Sequence, residues 1–303
     1  MAVKIEKVSY KGFDDCIRMS NDTVDLIITT QVGPRVLRYG FIHGDNVFCN
    51  VEEQMGKTGE NQWNIYGGHR LWHSPEDPRR TYVPDNFPIE YCIKGNSVYL
   101  SQPVEPWVQV KKDIRITLEE TGSKVTLFHT LTNKNAWEVE FSLWALTVVA
   151  TGGTEVVPQC QKNTDLLPNR MLSLWPYTKM NDHRVSWGEK YILLKQDPKT
   201  KQPFKFGISN FEGWACYANT QGLFVKRFDA VEGALYPDYS ASTYETYTTD
   251  FMLEMESLTP LTRLKPDEVL AHEERWYLFD PVPAPKNDED VDKNILPWIE
   301  KTV

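Results

Sequence analysis

Ile114-Arg115-Ile116-Thr117-Leu118-Glu119-Glu120-Thr121-Gly122-Ser123-Lys124-Val125-Thr126-Leu127-Phe128-His129 alternates apolar and polar side chains on both sides of a turn. A period of two puts every second side chain on the same face of a strand. The stretch therefore predicts two strands with one buried face each, joined at Glu120-Thr121-Gly122-Ser123. Val24, Leu26 and Ile28 repeat the pattern, as do Val139, Phe141, Leu143 and Ala145. Turn signals recur at short spacing, at Lys94-Gly95-Asn96, Asn133-Lys134-Asn135, Gln196-Asp197-Pro198 and Asn219-Thr220-Gln221-Gly222. Helical periodicity is scarce and is confined to the tail, where Val291, Ile295 and Ile299 stand four apart. Many short strands without a flexible linker or fixed repeat predict an all-β fold, a large antiparallel sandwich or barrel with few short helices. The expected organisation is one domain over residues 1–285. An acidic connector around Asn287-Asp288-Glu289-Asp290 and a short C-terminal helix then fill residues 286–303.

The 303 residues are 41% hydrophobic and 25% charged, ordinary for a globular chain with a sizeable core. A net charge of −9 argues against nucleic acid as a partner, because phosphate backbones demand a basic face. It suits a neutral or cationic small ligand. The five cysteines are odd in number and lack CxxC spacing, which predicts reduced thiols and a cytoplasmic setting. The start, Met-Ala-Val-Lys-Ile-Glu-Lys, lacks the apolar core of a signal peptide, and no apolar run approaches the ~18 residues of a membrane helix. No membrane partner is expected. Ten tryptophans point to a large core, or to flat apolar platforms of the kind a pyranose ring stacks on.

Two stretches concentrate chemically capable side chains. The first is Tyr66-Gly67-Gly68-His69-Arg70-Leu71-Trp72-His73-Ser74-Pro75-Glu76. Its glycines and prolines predict a rigid loop presenting polar groups at a rim. His69, His73 and Glu76 have the spacing of metal ligands on a helix, but Gly67, Gly68 and Pro75 oppose a helix and the order is not H-E-x-x-H. No metal or other cofactor is expected. The histidines read as acid–base groups or as rim residues bonded to the loop backbone, and Arg70 as a planar clamp or a structural ion pair. The second stretch is Asp250-Phe251-Met252-Leu253-Glu254-Met255-Glu256-Ser257-Leu258. In a strand, Glu254 and Glu256 share a face. Paired carboxylates away from bulk water acquire a raised pKa or a cationic partner, which suits a general acid or base. The alternative is a solvated outer face. Between these stretches, Trp175-Pro176-Tyr177, Lys226-Arg227-Phe228 and Tyr236-Pro237-Asp238-Tyr239 mix aromatic and hydrogen-bonding groups. Together they predict a polar, aromatic-lined cleft. A nucleophile elbow and a Gly-rich phosphate loop are both missing.

On these residues the chain resembles the galactose mutarotase-like superfamily, most closely a little-characterised branch with a Gly-Gly-x-Arg-x-Trp stretch and a late Glu-x-Glu strand. Gly68-His69-Arg70-Leu71-Trp72 is similar to the segment whose arginine binds the sugar. Glu256, with Leu264-Lys265-Pro266-Asp267-Glu268 beyond it, is similar to the strand of the catalytic glutamate. Gly33-Pro34-Arg35 matches the early strand–turn glycine. The resemblance spans roughly residues 20–280. It implies a β-supersandwich and aldose 1-epimerase chemistry without a cofactor. Glu256 would be the base, His69 or His73 the acid, and Arg70 with Trp72 would hold the sugar. Arg35, Glu254, Trp175, Lys226 and Asp238 are further candidates for sugar contact. The chain departs from the pattern at Phe141-Ser142-Leu143-Trp144-Ala145-Leu146-Thr147, which carries no histidine where the superfamily places its acid. Two alternatives stand beside the epimerase: a carbohydrate-binding or sensor protein, and a lyase or hydrolase of a sugar derivative in which Arg70, Arg35 or Lys226 neutralises a uronate.

Overall fold

A computed structural model describes residues 2–240 and 242–302. The alternating stretches fold as strands. The first nine are β1 (Lys4–Tyr10), β2 (Phe13–Ser20), β3 (Val24–Thr29), β4 (Arg35–Phe41), β5 (Gly68–Ser74), β6 (Glu90–Lys94), β7 (Ser97–Ser101), β8 (Val110–Leu118) and β9 (Val125–Asn133). The middle group is β10 (Val139–Val149), β11 (Thr154–Pro158), β12 (Leu172–Leu174), β13 (Val185–Trp187), β14 (Tyr191–Lys195), β15 (Phe204–Ile208), β16 (Trp214–Ala218) and β17 (Leu223–Phe228). The last are β18 (Tyr244–Thr248), β19 (Leu253–Leu258), β20 (Thr262–Leu264) and β21 (Val269–Phe279). Among the described residues, three short α-helices, α1 (Pro237–Ser240), α2 (Asp288–Asn294) and α3 (Leu296–Ile299), and a 3-10 turn at Glu300–Thr302 accompany the strands.

The strands form two antiparallel sheets. An 11-stranded sheet runs β1-β2-β3-β4-β5-β10-β19-β18-β15-β12, with β20 also on β10. A 10-stranded sheet runs β13-β14-β11-β16-β17-β21-β9-β8-β7-β6. The Ile114–His129 stretch is the β8–β9 hairpin, in which Ile114 faces His129 and Ile116 faces Leu127. Its apolar set joins the layer between the sheets, with Leu71, Leu143, Phe204 and Met255 of the larger sheet and Phe224 and Trp276 of the smaller. The acidic run expected to be a solvated connector instead forms the first turn of α2. The Asn287 side chain caps it by accepting from the Asp290 N–H, and acidic side chains favour the positive end of a helix. Val291, Ile295 and Ile299 then pack on the outer face of the smaller sheet, against Trp214 and Leu223.

The stretch expected to be a rim loop is β5, a central strand buried along its whole length. Its glycines serve close packing rather than a loop. Gly67 and Gly68 have φ of 94° and 68°, and a Cβ would lie 2.0 Å from the Cys49 oxygen and 2.1 Å from the Val36 oxygen respectively. Strand alternation then splits the chemical side chains. His69, Leu71 and His73 face the smaller sheet, while Arg70 and Trp72 face outward.

His69 therefore enters a buried polar seam between the sheets. Its Nε2 lies 2.8 Å from His129 Nε2 and its Nδ1 lies 2.9 Å from Thr147 Oγ1. His129 Nδ1 donates to the His272 carbonyl at 3.1 Å. Neutral His129 must then accept at Nε2, so His69 carries its proton on Nε2 and accepts from Thr147 at Nδ1. The Ser257 hydroxyl donates to Glu274 at 2.6 Å and accepts from His272 Nε2 at 2.7 Å. Lys226 meets Glu274 at 2.9 Å and the Met255 carbonyl at 2.8 Å. One ion pair and three neutral imidazoles satisfy the seam. Burial lowers the Lys226 pKa and would raise that of Glu274. The ammonium overrides this and keeps Glu274 ionised, and the Trp276 N–H donates to its second carboxylate oxygen at 2.9 Å.

Two outcomes follow for this packing. Gly68→Ala should cost ~2 kcal/mol or more, read from the denaturant midpoint, because the left-handed backbone and the Val36 oxygen both refuse a Cβ. Imidazole ¹⁵N NMR should show His69 and His272 protonated on Nε2 and His129 on Nδ1, all still neutral at about pH 5.5, below the free imidazole pKa of about 6.5. Burial depresses all three, His272 to about 4. Below about pH 6.5 the unfolded chain binds protons that these imidazoles refuse, so their contribution to stability is complete above that pH and lost as pH falls. A protonated His129 at pH 5.5 would contradict the seam as described.

Candidate functional site

Five neighbouring strands, β5, β10, β19, β18 and β15, present their outward residues to one cleft on the larger sheet. Each contributes alternate positions: Arg70 and Trp72, Trp144 and Leu146, Glu254 and Glu256, Tyr247, and Lys205. Their inward neighbours, among them Leu71, Ala145, Met255, Tyr244 and Phe204, sit in the core. Trp63, Glu76, Tyr82, Trp175 and Tyr177 wall a cavity of about 390 Å³ above this floor. An adjoining hollow shares Glu76, Tyr82, Trp144 and Trp175, and adds Glu245 and Asp238.

Charge on the floor is arranged in alternating pairs. The Arg70 guanidinium lies against the ring of Trp72 at 4.4 Å and that of Trp63 at 5.3 Å, and reaches Glu254 at 2.8 Å. Lys205 lies 4.6 Å from the rings of both Trp144 and Trp175. Its ammonium bridges Glu245 at 2.8 Å and Glu256 at 3.0 Å, two residues directly opposite one another in the β18–β19 ladder. Cations over indole faces with the water removed are held more firmly than exposed ones. Trp144 Nε1 donates a second hydrogen bond to Glu256 Oε2 at 3.0 Å. The other oxygen of Glu256 and the Oε1 of Glu245 are buried without a partner. Burial raises the Glu256 pKa above the usual carboxylate range, with Lys205 opposing and Glu254 adding to the rise. Glu245 rises further by burial, opposed by Lys205, with Glu256 and Asp238 pushing upward. Those carboxylates in turn hold Lys205 well above its ordinary value although burial acts against it. A carboxylate held near neutrality with one uncommitted oxygen has what a general base needs.

The cleft gathers Arg70, Trp72, Glu254, Glu256 and Trp175, with Asp238 at its adjoining end. Four other candidates from the sequence lie elsewhere. His69 belongs to the intersheet seam. His73 is buried against Phe141 on the same inner face, where burial lowers its pKa to about 3. Lys226 is committed to Glu274. Arg35 pairs with Asp85 at 2.8 Å and donates to the carbonyls of Asn64 and Ile65, which fixes the loop that carries Trp63. His69, His129 and Glu274 bring ligand-type atoms within 4.8 Å of one another, but those atoms are already spent on each other, Thr147 and Lys226. Sequence reasoning missed Lys205, Glu245, Tyr247, Tyr82 and Trp63. Phe204-Lys205-Phe206 carried a signal, since a lysine between two core phenylalanines in a strand must face the other side.

No protein-family model matches the chain, and no curated protein matches it. Solved structures do. A candidate aldose 1-epimerase from Klebsiella pneumoniae aligns at 12% identity with a TM-score of 0.56, over 98% of this chain and 87% of that one. A candidate aldose 1-epimerase from Escherichia coli K12 aligns at 11% identity and 0.54, over 91% and 99%. A galactose mutarotase-like protein from Clostridium acetobutylicum aligns at 13% identity and 0.52, over 92% and 99%. At such identities the likeness speaks for architecture alone. Two large antiparallel sheets in this order, aligned along nearly the full length of these proteins, give the chain a galactose mutarotase-like fold.

Proposed function

We propose that the outer cleft of the larger sheet binds a sugar and that Glu256 acts there as a general base in aldose 1-epimerase-like chemistry. The carrying observation is Glu256 itself. It sits at the cavity floor with a raised pKa, one oxygen held by Lys205 and Trp144 and the other free. The aromatic walls supply stacking faces and the floor supplies acceptors, the two things a pyranose asks for. The structural neighbours described as aldose 1-epimerases add the sugar to this reading.

In this mechanism Glu256 takes the proton from the anomeric hydroxyl while a donor protonates the ring oxygen. The ring opens to the aldehyde, the C1–C2 bond rotates, and closure gives the other anomer. His69 and His73 sit behind the sheet, so the donor role passes to a group that lines the cleft: Lys205, or the hydroxyl of Tyr177 or Tyr247. A lyase acting on a uronate would need a free cation, and Arg35, Arg70 and Lys226 each already face a carboxylate.

One observation favours a second reading, carbohydrate binding without turnover. No histidine lines the cleft among the described residues, and the donors present are held protonated, with Lys205 and Tyr177 both shifted upward. Exchange NMR on a panel of aldoses separates the two. The epimerase reading expects accelerated anomer exchange that drops ~10²-fold or more in Glu256→Gln. An unchanged rate in that variant removes Glu256 from the mechanism. Saturable sugar binding with no acceleration establishes the second reading.

A further inference from the structure

The floor of the cleft holds more acid than it neutralises. Glu76, Asp238, Glu245, Glu254 and Glu256 line the cavity and its adjoining hollow, against two cations, Arg70 and Lys205. Both cations are already ion-paired and lie against tryptophan rings. Glu245 and Glu256 stand side by side across β18 and β19, and Lys205 joins their Oε2 atoms from one side. Their Oε1 atoms have no donor, although Glu245 is 1% exposed and Glu256 is 0% exposed. A buried acceptor without a donor is costly, and a buried carboxylate oxygen more so. The chain also spends conformational strain on this edge. Asp238 and Tyr239 adopt φ of 54° and 65° in succession, which non-glycine residues rarely do, and Ser173 Oγ holds the Asp238 carbonyl at 2.6 Å.

We infer that the ligand is an amino sugar, whose protonated amine sits between the free oxygens of Glu245 and Glu256, opposite Lys205, while its ring stacks among the tryptophans. This deepens the sugar reading and rests on it. An ammonium offers three donors and repeats from the ligand side the bridge that Lys205 makes from the protein side. A phosphorylated or uronic sugar would add an anion to an acidic floor and find no free cation.

Titration calorimetry at pH 7 tests this with D-glucosamine and D-galactosamine against D-glucose, D-galactose, N-acetyl-D-glucosamine, D-glucuronate and glucose 6-phosphate. The amino sugars should bind about tenfold or more tighter than their neutral parents, because charge-assisted hydrogen bonds are roughly twice as strong as neutral ones. N-acetyl-D-glucosamine should lose that advantage, and the two anionic sugars should bind weakest. Glu245→Gln should cut the ratio of amino to neutral affinity to within about threefold, since one of the two carboxyls that an arriving ammonium would hold ionised is gone. Should that variant misfold by circular dichroism, Asp238→Asn should lower the same ratio from the open end of the site. Neutral sugars binding as tightly as amino sugars would overturn the amine inference and leave the sugar reading standing. An anionic sugar binding tightest would also overturn it. Failure of every sugar in the panel to bind would remove both.

Discussion

Lys205 is the point on which the site depends. One ammonium sits against two indole rings and joins two carboxylates from adjacent strands, all on a surface from which bulk water is largely excluded. Without that charge, Glu245 and Glu256 would face each other across the ladder as like groups, and one or both would stay protonated. With it, Glu256 is held between its ordinary pKa and neutrality-forcing burial, and keeps an oxygen for chemistry. Burial of such a charge is tolerated because two rings and two carboxylates surround the ammonium on its protein side.

The sheet makes this arrangement possible by alternation. The same five strands that turn Leu71, Ala145, Met255, Tyr244 and Phe204 into the core turn Arg70, Trp144, Glu256, Glu245 and Lys205 outward. The core beneath is not wholly apolar. The Lys226–Glu274 pair and three neutral histidines cross between the sheets directly behind β5, β10 and β19. That seam ties the two sheets together, since His69–His129, Ser257–His272, Ser257–Glu274 and Lys226–Met255 each join positions on opposite sheets. The cleft is thus mounted on a layer that resists sliding.

Much of this was legible in the chain. The Ile114–His129 alternation identified a hairpin and, with its repeats, an antiparallel all-β fold. The face shared by Glu254 and Glu256 followed from the period of two, and both line the cleft. What was not legible has one physical cause: sequence gives the period of a strand but not which way its first residue points. Gly67 and Gly68 looked like loop residues because the close approach of Cys49 and Val36, which requires them, involves backbone distant in sequence. Once that stretch is a strand, His69 and Arg70 must part company, and the histidines fall on the core side. Lys205 and Glu245 stayed hidden for a related reason, since their roles arise only when β15, β18 and β19 lie next to one another. The galactose mutarotase-like fold itself was suggested by short motifs and stands on the full-length match of architecture.

The account makes the cleft a closed electrostatic unit in which Lys205 sets the protonation of Glu256. Carboxyl ¹³C NMR of the protein labelled at glutamate, in the wild type and in Lys205→Met, measures this directly. The account predicts a Glu256 resonance that titrates above the ordinary glutamate value of about 4.3 in the wild type and higher still once the ammonium is removed. A Glu256 that titrates at the ordinary value in both proteins would mean that water reaches the floor freely, and the account would be contradicted.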